Sequence, residues 1–210
     1  TAIQGLLQGF SYLKNQRSIS AVILLGVTMG LFGSSFDTLL PVFADEIYET
    51  GLDVGGRLLL GAGIGGLIAT TAITLIGKRV RPALYLLIAG LGLGSAQLIF
   101  SRIDVIAVAV IVAGFIGGFK VVLGTMNTTV VQTLVDEEFR GRVMSINQLT
   151  WGASALGGLL MGYMAERFDA PTAMTLGGAI AILATILVGQ RLVRSFGIGS
   201  KPRQEYDSTD

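Results

Sequence analysis

The sequence predicts an all-α membrane protein with six transmembrane helices. Charged residues make up only 14% of the 210 residues and hydrophobic residues 51%, whereas a soluble domain carries about 25% charged residues. Six apolar runs reach the roughly 20 residues that a helix needs to cross a hydrocarbon core of about 30 Å. These runs do not alternate in polarity, as the roughly 10-residue strands of a membrane barrel do. Because a spanning chain must satisfy its backbone polar groups internally, helices are the structure that remains.

The predicted elements follow one another with short connections. Residues 1–18 form a polar, amphipathic leader, residues 19–193 the six-helix transmembrane bundle, and residues 194–210 a polar tail. The spans are expected at about residues 19–44, 56–77, 82–101, 105–126, 143–165 and 170–191. With six spans, both termini lie on the same side of the membrane.

The basic residues orient the bundle. Eleven of them lie in the leader, the tail and the connections on one side, and three lie in the connections on the other. Because loops rich in Lys and Arg stay cytoplasmic, the sequence predicts a multi-pass protein of the plasma (inner) membrane with both termini in the cytoplasm.

Glycine is frequent within the spans, with 30 glycines in the chain. Pairs of glycines four residues apart occur on five predicted helices. Small residues let helix backbones approach closely in lipid, where no hydrophobic force drives them together. The residues expected to pack helices in this way are Gly61, Gly65, Gly114, Gly118, Gly158 and Gly162. A dedicated dimerisation role is the alternative interpretation.

Two charged residues, Asp37 and Lys120, lie well inside the spans. Charges at such positions are costly and usually functional, so both are predicted to line a substrate or proton pathway. The alternatives are an aspartate solvated near the outer interface and a lysine that reaches the inner surface. Straight helices place Asp37 about 8 Å outside the midpoint of its span and Lys120 about 7 Å inside its own. The resulting axial gap of about 15 Å predicts that the two do not pair directly.

Polar side chains in the later spans extend the same prediction. Asn127 shares a helical face with Lys120, and Asn147 and Trp151 lie on one stripe of the fifth span. All three residues are predicted to line the substrate or proton pathway. Amide and indole groups facing lipid would be wasteful, so the stripe with Asn147 and Trp151 is expected to face protein or a water-filled cavity. Hydrogen bonding between helices is the alternative.

The residues that many enzymes need are missing from the sequence. It has no Cys and no His, which removes disulfides, thiolate or imidazole metal sites, and mechanisms with a His base or Cys nucleophile. We therefore expect no enzymatic activity, no metal and no cofactor. The net charge of +1 gives no indication of nucleic acid, and none is expected as a partner.

Two stretches carry a family resemblance: Gly30–Ala44 in the first span and Asn127–Ser145 between the fourth and fifth. They resemble the C-terminal half of major facilitator superfamily transporters, most closely the enterobactin-exporter-like and macrolide-efflux-like branch. The leader segment Gly5–Leu13 looks like the end of the family's central cytoplasmic loop. The Gly/Asp/Arg-rich inner-loop signature of the family appears only as Gly77–Arg81, without its Asp.

The resemblance implies that the six spans correspond to helices seven to twelve of a twelve-helix fold, completed by a missing N-terminal six-helix half. Two halves that rock about a central site give alternating access, and Asp37 and Lys120 lie on helices that line the family's cavity. The implied function is secondary active export of a drug- or siderophore-like small molecule, coupled to protons. The alternatives are a homodimeric six-helix half-transporter and the membrane subunit of an ATP-driven permease.

The connection between the fourth and fifth spans contains Asp136, Arg140, Gly141 and Arg142. Within the resemblance, this connection is expected to act as a conformational loop. Its alternative is a solvated hairpin held by ion pairs within the loop.

Overall fold

The structure, a computed structural model, describes residues 2–48, 52–76 and 81–196, apart from the side chains of residues 2–7, 52, 149–151 and 192–196. Every regular element in these ranges is helical. The helices are α1 (Ala2–Asn15), α2 (Arg17–Thr28), α3 (Ser35–Val42), α4 (Leu52–Ile76), α5 (Pro82–Phe100), α6 (Ile106–Leu134), α7 (Arg140–Arg167) and α8 (Ala170–Phe196). Two π-helical segments, Met29–Gly33 and Phe43–Ile47, flank α3. Residues 197–210 of the predicted tail (194–210) and the connection 77–80 lie outside the described residues.

Five stretches among the described residues are long and apolar enough to cross a membrane. They are Arg17–Ile47, Asp53–Ile76, Pro82–Phe100, Ile106–Leu134 and Ala170–Arg191. The fifth predicted span falls on α7, whose 28 residues would extend about 42 Å at 1.5 Å per residue. Helix α7 is not among the five, and polar residues such as Asn147 and Gln148 lower its apolar character.

The outer surface of α4 is apolar and exposed, which indicates the medium that surrounds the bundle. Leu60, Leu67 and Leu75 are 67%, 71% and 82% exposed. A continuous apolar surface of this kind is unfavourable in water and marks contact with another apolar phase. Lipid tails are the phase that fits a helix of this length.

Glycines set the distance between α4 and α6. A Cβ built at Gly65 would lie 2.8 Å from the Cα of Gly114 and closer still to its carbonyl oxygen. Gly61 lies in the same way against the backbone of Val110, and Gly118 faces Gly65. These helices therefore touch backbone to backbone, and a side chain at Gly65 would have no room.

Helix α7 makes its close approach at Gly157, which lies against the backbone of Leu31. A Cβ at the neighbouring Gly158 would lie 3.2 Å from Oγ1 of Thr38. A Cβ at Gly162 would meet no described atom within 4 Å. The packing contact predicted for Gly162 is therefore not seen in the described part of the chain, because no neighbouring element reaches that position.

The first span is a broken helix. Its α-helical hydrogen bonds give way to π-helical geometry at Met29–Gly33, and Ser34 (φ −86°, ψ 6°) lies outside regular helix before α3 begins. Pro41 sits inside α3 and has no N–H to donate to the carbonyl of Asp37. Short π-helical segments inside helices occur frequently at functional sites, and Met29–Gly33 ends four residues before Asp37.

Candidate functional site

A cavity of about 190 Å³ lies beside the break in the first span. Its walls come from the first span, α5, α6 and α7. The polar side chains that line it are Ser34, Asp37, Lys120, Asn127, Thr128, Asn147 and Ser154. Glycines at positions 26, 30, 33 and 124 complete much of the remaining wall, so backbone as well as side chains faces the space.

Asp37 and Lys120 form an ion pair at this cavity, with Nζ of Lys120 donating to Oδ2 of Asp37. The prediction that the two lie too far apart to pair is therefore wrong. Helix α6 continues to Leu134 rather than ending near residue 126, so Lys120 is the middle residue of a 29-residue helix instead of lying toward its inner end. The remaining axial offset is small enough for the long lysine side chain to cover.

The pair is only partly shielded from its surroundings. The side chain of Lys120 is 34% exposed and that of Asp37 50% exposed. An ion pair at such exposure is worth about 1 kcal/mol or less. Where the cavity is filled with water, the two charges can therefore separate at low cost.

Asn127 and Asn147 are the buried amides of the cavity wall, 5% and 2% exposed. Nδ2 of Asn127 donates to the carbonyl oxygen of Val22 at 2.9 Å, which ties α6 to α2. Asn127 thus bonds to a neighbouring helix and also lines the cavity. The backbone of Trp151 lies in α7, and its side chain lies outside the described residues.

The predicted conformational loop contacts α1. The hydroxyl of Tyr12 donates to Oδ2 of Asp136 at 2.9 Å, and its ring stacks on Phe139 with centroids 4.5 Å apart. The guanidinium of Arg142 lies over the same Phe139 ring, 5.5 Å from its centroid. Burial raises the pKa of the Tyr12 hydroxyl, and the charge of Asp136 adds to the rise. Tyr12 thus attaches helix α1 to the loop.

The remaining loop residues have simpler surroundings. Arg140 forms an ion pair with Glu137 at 3.6 Å, three residues earlier in the chain. A Cβ built at Gly141 would meet no described atom within 4 Å. Gly9 of α1 approaches α7, since a Cβ there would lie 2.8 Å from Cδ1 of Ile146. Gly9 and Tyr12 are thus the residues of α1 that lie close to the loop and the start of α7.

Comparison with known proteins identifies the family. The model of the transmembrane secretion effectors, a family of the major facilitator superfamily, matches residues 1–208. The chain belongs to this family. No solved structure matches it.

This member of the transmembrane secretion effector family is similar to proteins named as transporters or efflux pumps. The staphyloferrin A transporter of Staphylococcus aureus (strain NCTC 8325 / PS 47) is 27% identical over 157 residues, which cover 74% of this chain and 39% of that protein. The multidrug efflux pump Tap of Mycobacterium tuberculosis (strain ATCC 25618 / H37Rv) is 24% identical over 207 residues, 98% of this chain and 49% of the pump. Tap of Mycolicibacterium fortuitum is 24% identical over 206 residues, with 95% and 49% covered. The chain spans less than half the length of each of these relatives.

Two contacts in this family member were missed by reasoning from the sequence. Tyr12 and Asp136 are 124 residues apart, so no local spacing connects them. Gln97 is buried and hydrogen-bonded to the first span. One feature of the sequence could have predicted this contact. Gln97 is the only amide side chain in residues 82–100, and a lone amide in an apolar span needs a hydrogen-bond partner on another helix.

Proposed function

We propose that this chain is the C-terminal six-helix half of a twelve-helix secondary transporter that exports a drug- or siderophore-like small molecule by alternating access. The five membrane-crossing stretches, with α7 as a sixth, support this proposal. Family membership supports it, and so does coverage of less than half of relatives named as transporters or efflux pumps. The N-terminal half would supply the other wall of the substrate path.

The observation that carries the proposal is an ion pair inside the spans, at a cavity, beside a broken helix. Ionisable residues within membrane spans mark substrate and ion pathways. Broken helices in transporters are tolerated where they line a cavity, and binding sites form there near the bilayer midplane. Asp37 lies in the first turn of the helix after the break, and Lys120 lies at the centre of α6. Both marks of a transport site thus coincide in one place.

We propose that the carboxylate of Asp37 couples export to protons. It can hold either a proton or a cationic group of the substrate, so the two compete for one site. A proton that enters from outside then displaces the outgoing substrate, and Lys120 pairs with the carboxylate when neither is bound. A ligand or proton shifts a conformational equilibrium only through a difference in binding between the two states, and formation or loss of this pair would supply that difference.

The conformational loop and α1 would lie at the cytoplasmic end of this half, with both termini inside and the protein in the plasma (inner) membrane. Arg140, Arg142 and Asp136 would then change partners as the two halves rock. The contact of Tyr12 with Asp136 would connect that movement to α1, which would lead to the N-terminal half.

Efflux of a fluorescent dye from cells that make the whole protein tests the proposal. Asp37→Asn keeps the shape of the side chain and removes the charge, so export should fall at least tenfold and lose its dependence on external pH. Asp53→Asn is the matched control, because Asp53 forms an exposed ion pair with Arg57 at 2.7 Å, outside the cavity. Its export should stay within twofold of the unsubstituted protein.

Two results would contradict the proposal. Equal export in Asp37→Asn and Asp53→Asn across pH would remove the ion pair from transport. A gene whose product lacks six further spans upstream of this chain would instead favour the homodimeric half-transporter.

A further inference from the structure

We propose that Gln97 is a positioning residue that holds the first span in its broken form and thereby keeps Asp37 turned toward Lys120. The proposal rests on the function proposed above for the ion pair. Gln97 lies on α5, is fully buried, and does not line the cavity. Its effect on the site would therefore pass through the backbone of the first span.

The hydrogen bonds at the break show how this works. In a continuous α-helix the carbonyl of Gly33 accepts from the N–H four residues later, which belongs to Asp37. Here the N–H of Asp37 donates to Ser34 at 3.1 Å. Nε2 of Gln97 donates to the carbonyl oxygen of Gly33 at 2.8 Å. The glutamine amide thus occupies the position that the Asp37 N–H would take in an unbroken helix.

The chemistry of the bond fixes the orientation of the amide. A carbonyl oxygen only accepts, so the atom of Gln97 that meets Gly33 is the NH₂ group. The other amide atom, Oε1, is buried and has no hydrogen-bond partner among the described residues. A buried acceptor without a partner costs about 1–3 kcal/mol. A leucine of similar size would avoid that cost, so donation to Gly33 is the contribution that sets glutamine apart here.

The surroundings of the break leave little freedom for adjustment. A Cβ at Gly33 would lie 3.2 Å from Cδ2 of Leu93 on α5. A Cβ at Gly178 of α8 would lie 3.2 Å from Cβ of Gln97 and 2.8 Å from the carbonyl oxygen of Gly94. Helices α5 and α8 therefore fix the position of the Gln97 backbone, and its amide reaches Gly33 from a rigid support.

Loss of the bond would act on Asp37 through helix geometry. A π-helical turn holds more residues than an α-helical turn. If it became α-helical, each residue that moved out of the turn into the next one would rotate the following segment by about 100° around the helix axis. Asp37 would then point away from α6, and its pair with Lys120 would break. A contact on α5 would in this way control a charge on α3.

Accessibility of a single cysteine tests the proposal without depending on transport. The chain has no Cys, so Ser34→Cys, at the break and in the cavity wall, reports on the geometry once any cysteines elsewhere in the whole protein are replaced. Gln97→Leu should lower its rate of reaction with a water-soluble thiol reagent about tenfold. Dye efflux, measured without Ser34→Cys, should fall by a similar factor. Ser101→Ala is the control, because it removes another hydrogen bond made from the end of α5, to Thr175 of α8 at 2.9 Å, and should change both rates less than twofold.

Gln97→Glu separates the hydrogen bond from simple packing. A protonated glutamic acid can donate to Gly33, whereas the carboxylate cannot. The π-helical segment 29–33 and residues 170–190, which pack against α5, contain no Asp, Glu, Lys or Arg, and α6 contains only Lys120, which is paired with Asp37. Burying a charged carboxylate is costly, so low pH favours the protonated side chain. At each pH, the reaction rate of Ser34→Cys in the Gln97→Glu variant is divided by its rate with Gln97 in place. This ratio should be near 1 at pH 5 and fall about tenfold by pH 9.

Each outcome bears on one proposal. A Gln97→Glu ratio that does not vary with pH, or equal labelling in Gln97→Leu and Ser101→Ala, would overturn the role of Gln97. If labelling follows the expected pattern but the unsubstituted protein exports no dye, the positioning role stands and the proposed export function fails.

Discussion

Gly65→Ala is expected to push α4 away from α6. The new Cβ would lie 2.8 Å from the Cα of Gly114, which is 0.6 Å short of the 3.4 Å at which ordinary van der Waals contact begins. The atoms it meets belong to backbone, so neither helix can relieve the clash by turning a side chain. Overpacking of this kind costs about 1–3 kcal/mol. At about 2–4 °C per kcal/mol, the apparent Tm would fall by about 2–12 °C.

Gly63→Ala provides a matched control on the same helix. A Cβ at Gly63 would meet no described atom within 4 Å. Both substitutions gain the same helix propensity, about 0.5–1 kcal/mol for Gly to Ala, so the difference between the two variants isolates the clash. The assay is thermal unfolding of the whole protein in detergent. Equal apparent Tm values for the two variants would refute the close approach of α4 and α6.

The remaining predictions concern the ion pair, the α1 contact and the start of α8. A double-mutant cycle with Asp37→Asn and Lys120→Gln should give a coupling energy of about 1 kcal/mol in thermal unfolding, and zero coupling would contradict the pair. Tyr12→Phe keeps the stacked ring but loses the hydrogen bond to Asp136, so amide exchange in α1 should rise about two- to tenfold, as expected for a bond worth about 0.5–1.5 kcal/mol; an unchanged rate would exclude the bond. Asp169→Ala removes the acceptor of a hydrogen bond that the first turn of α8 donates. This change should lower the free energy of unfolding by about 1 kcal/mol at pH 7. Because hydrogen bonds from the first turn of α8 lower the pKa of Asp169 below its ordinary 3.8, this contribution is present above that pH and is lost as the pH falls through the lowered value. A Tm difference between wild type and variant that is the same at pH 7 and pH 3 would count against it.

Much of the helical architecture follows from the sequence because lipid imposes simple rules on length and polarity. A run such as residues 82–101 has no charge and hardly any structure other than a helix open to it in a bilayer. Glycine spacing likewise pointed to Gly61, Gly65, Gly114 and Gly118, and these four lie at the contact of α4 with α6. Local rules are therefore sufficient to predict a helix whose position depends only on the bilayer and on its nearest neighbour.

The candidate site depends on features that such rules do not contain. The depth of Lys120 was misjudged because α6 continues through the polar residues after position 126 as helix, and polarity alone does not say where a helix ends. The break before Asp37 had visible signals in Ser34 and Pro41, yet the amide that occupies the broken position comes from Gln97, 64 residues from Gly33 in sequence. Contacts at that separation are decided by the packing of whole helices.

Labelling of a single cysteine from each side of the membrane tests the central claim most directly. Thr128→Cys places the thiol in the cavity wall, in a whole protein with no other cysteine. The account predicts that impermeant thiol reagents reach it from both faces, and that a transported dye raises the rate on one face while lowering it on the other. Labelling from one face only, with a rate that no dye changes, would contradict alternating access at this cavity.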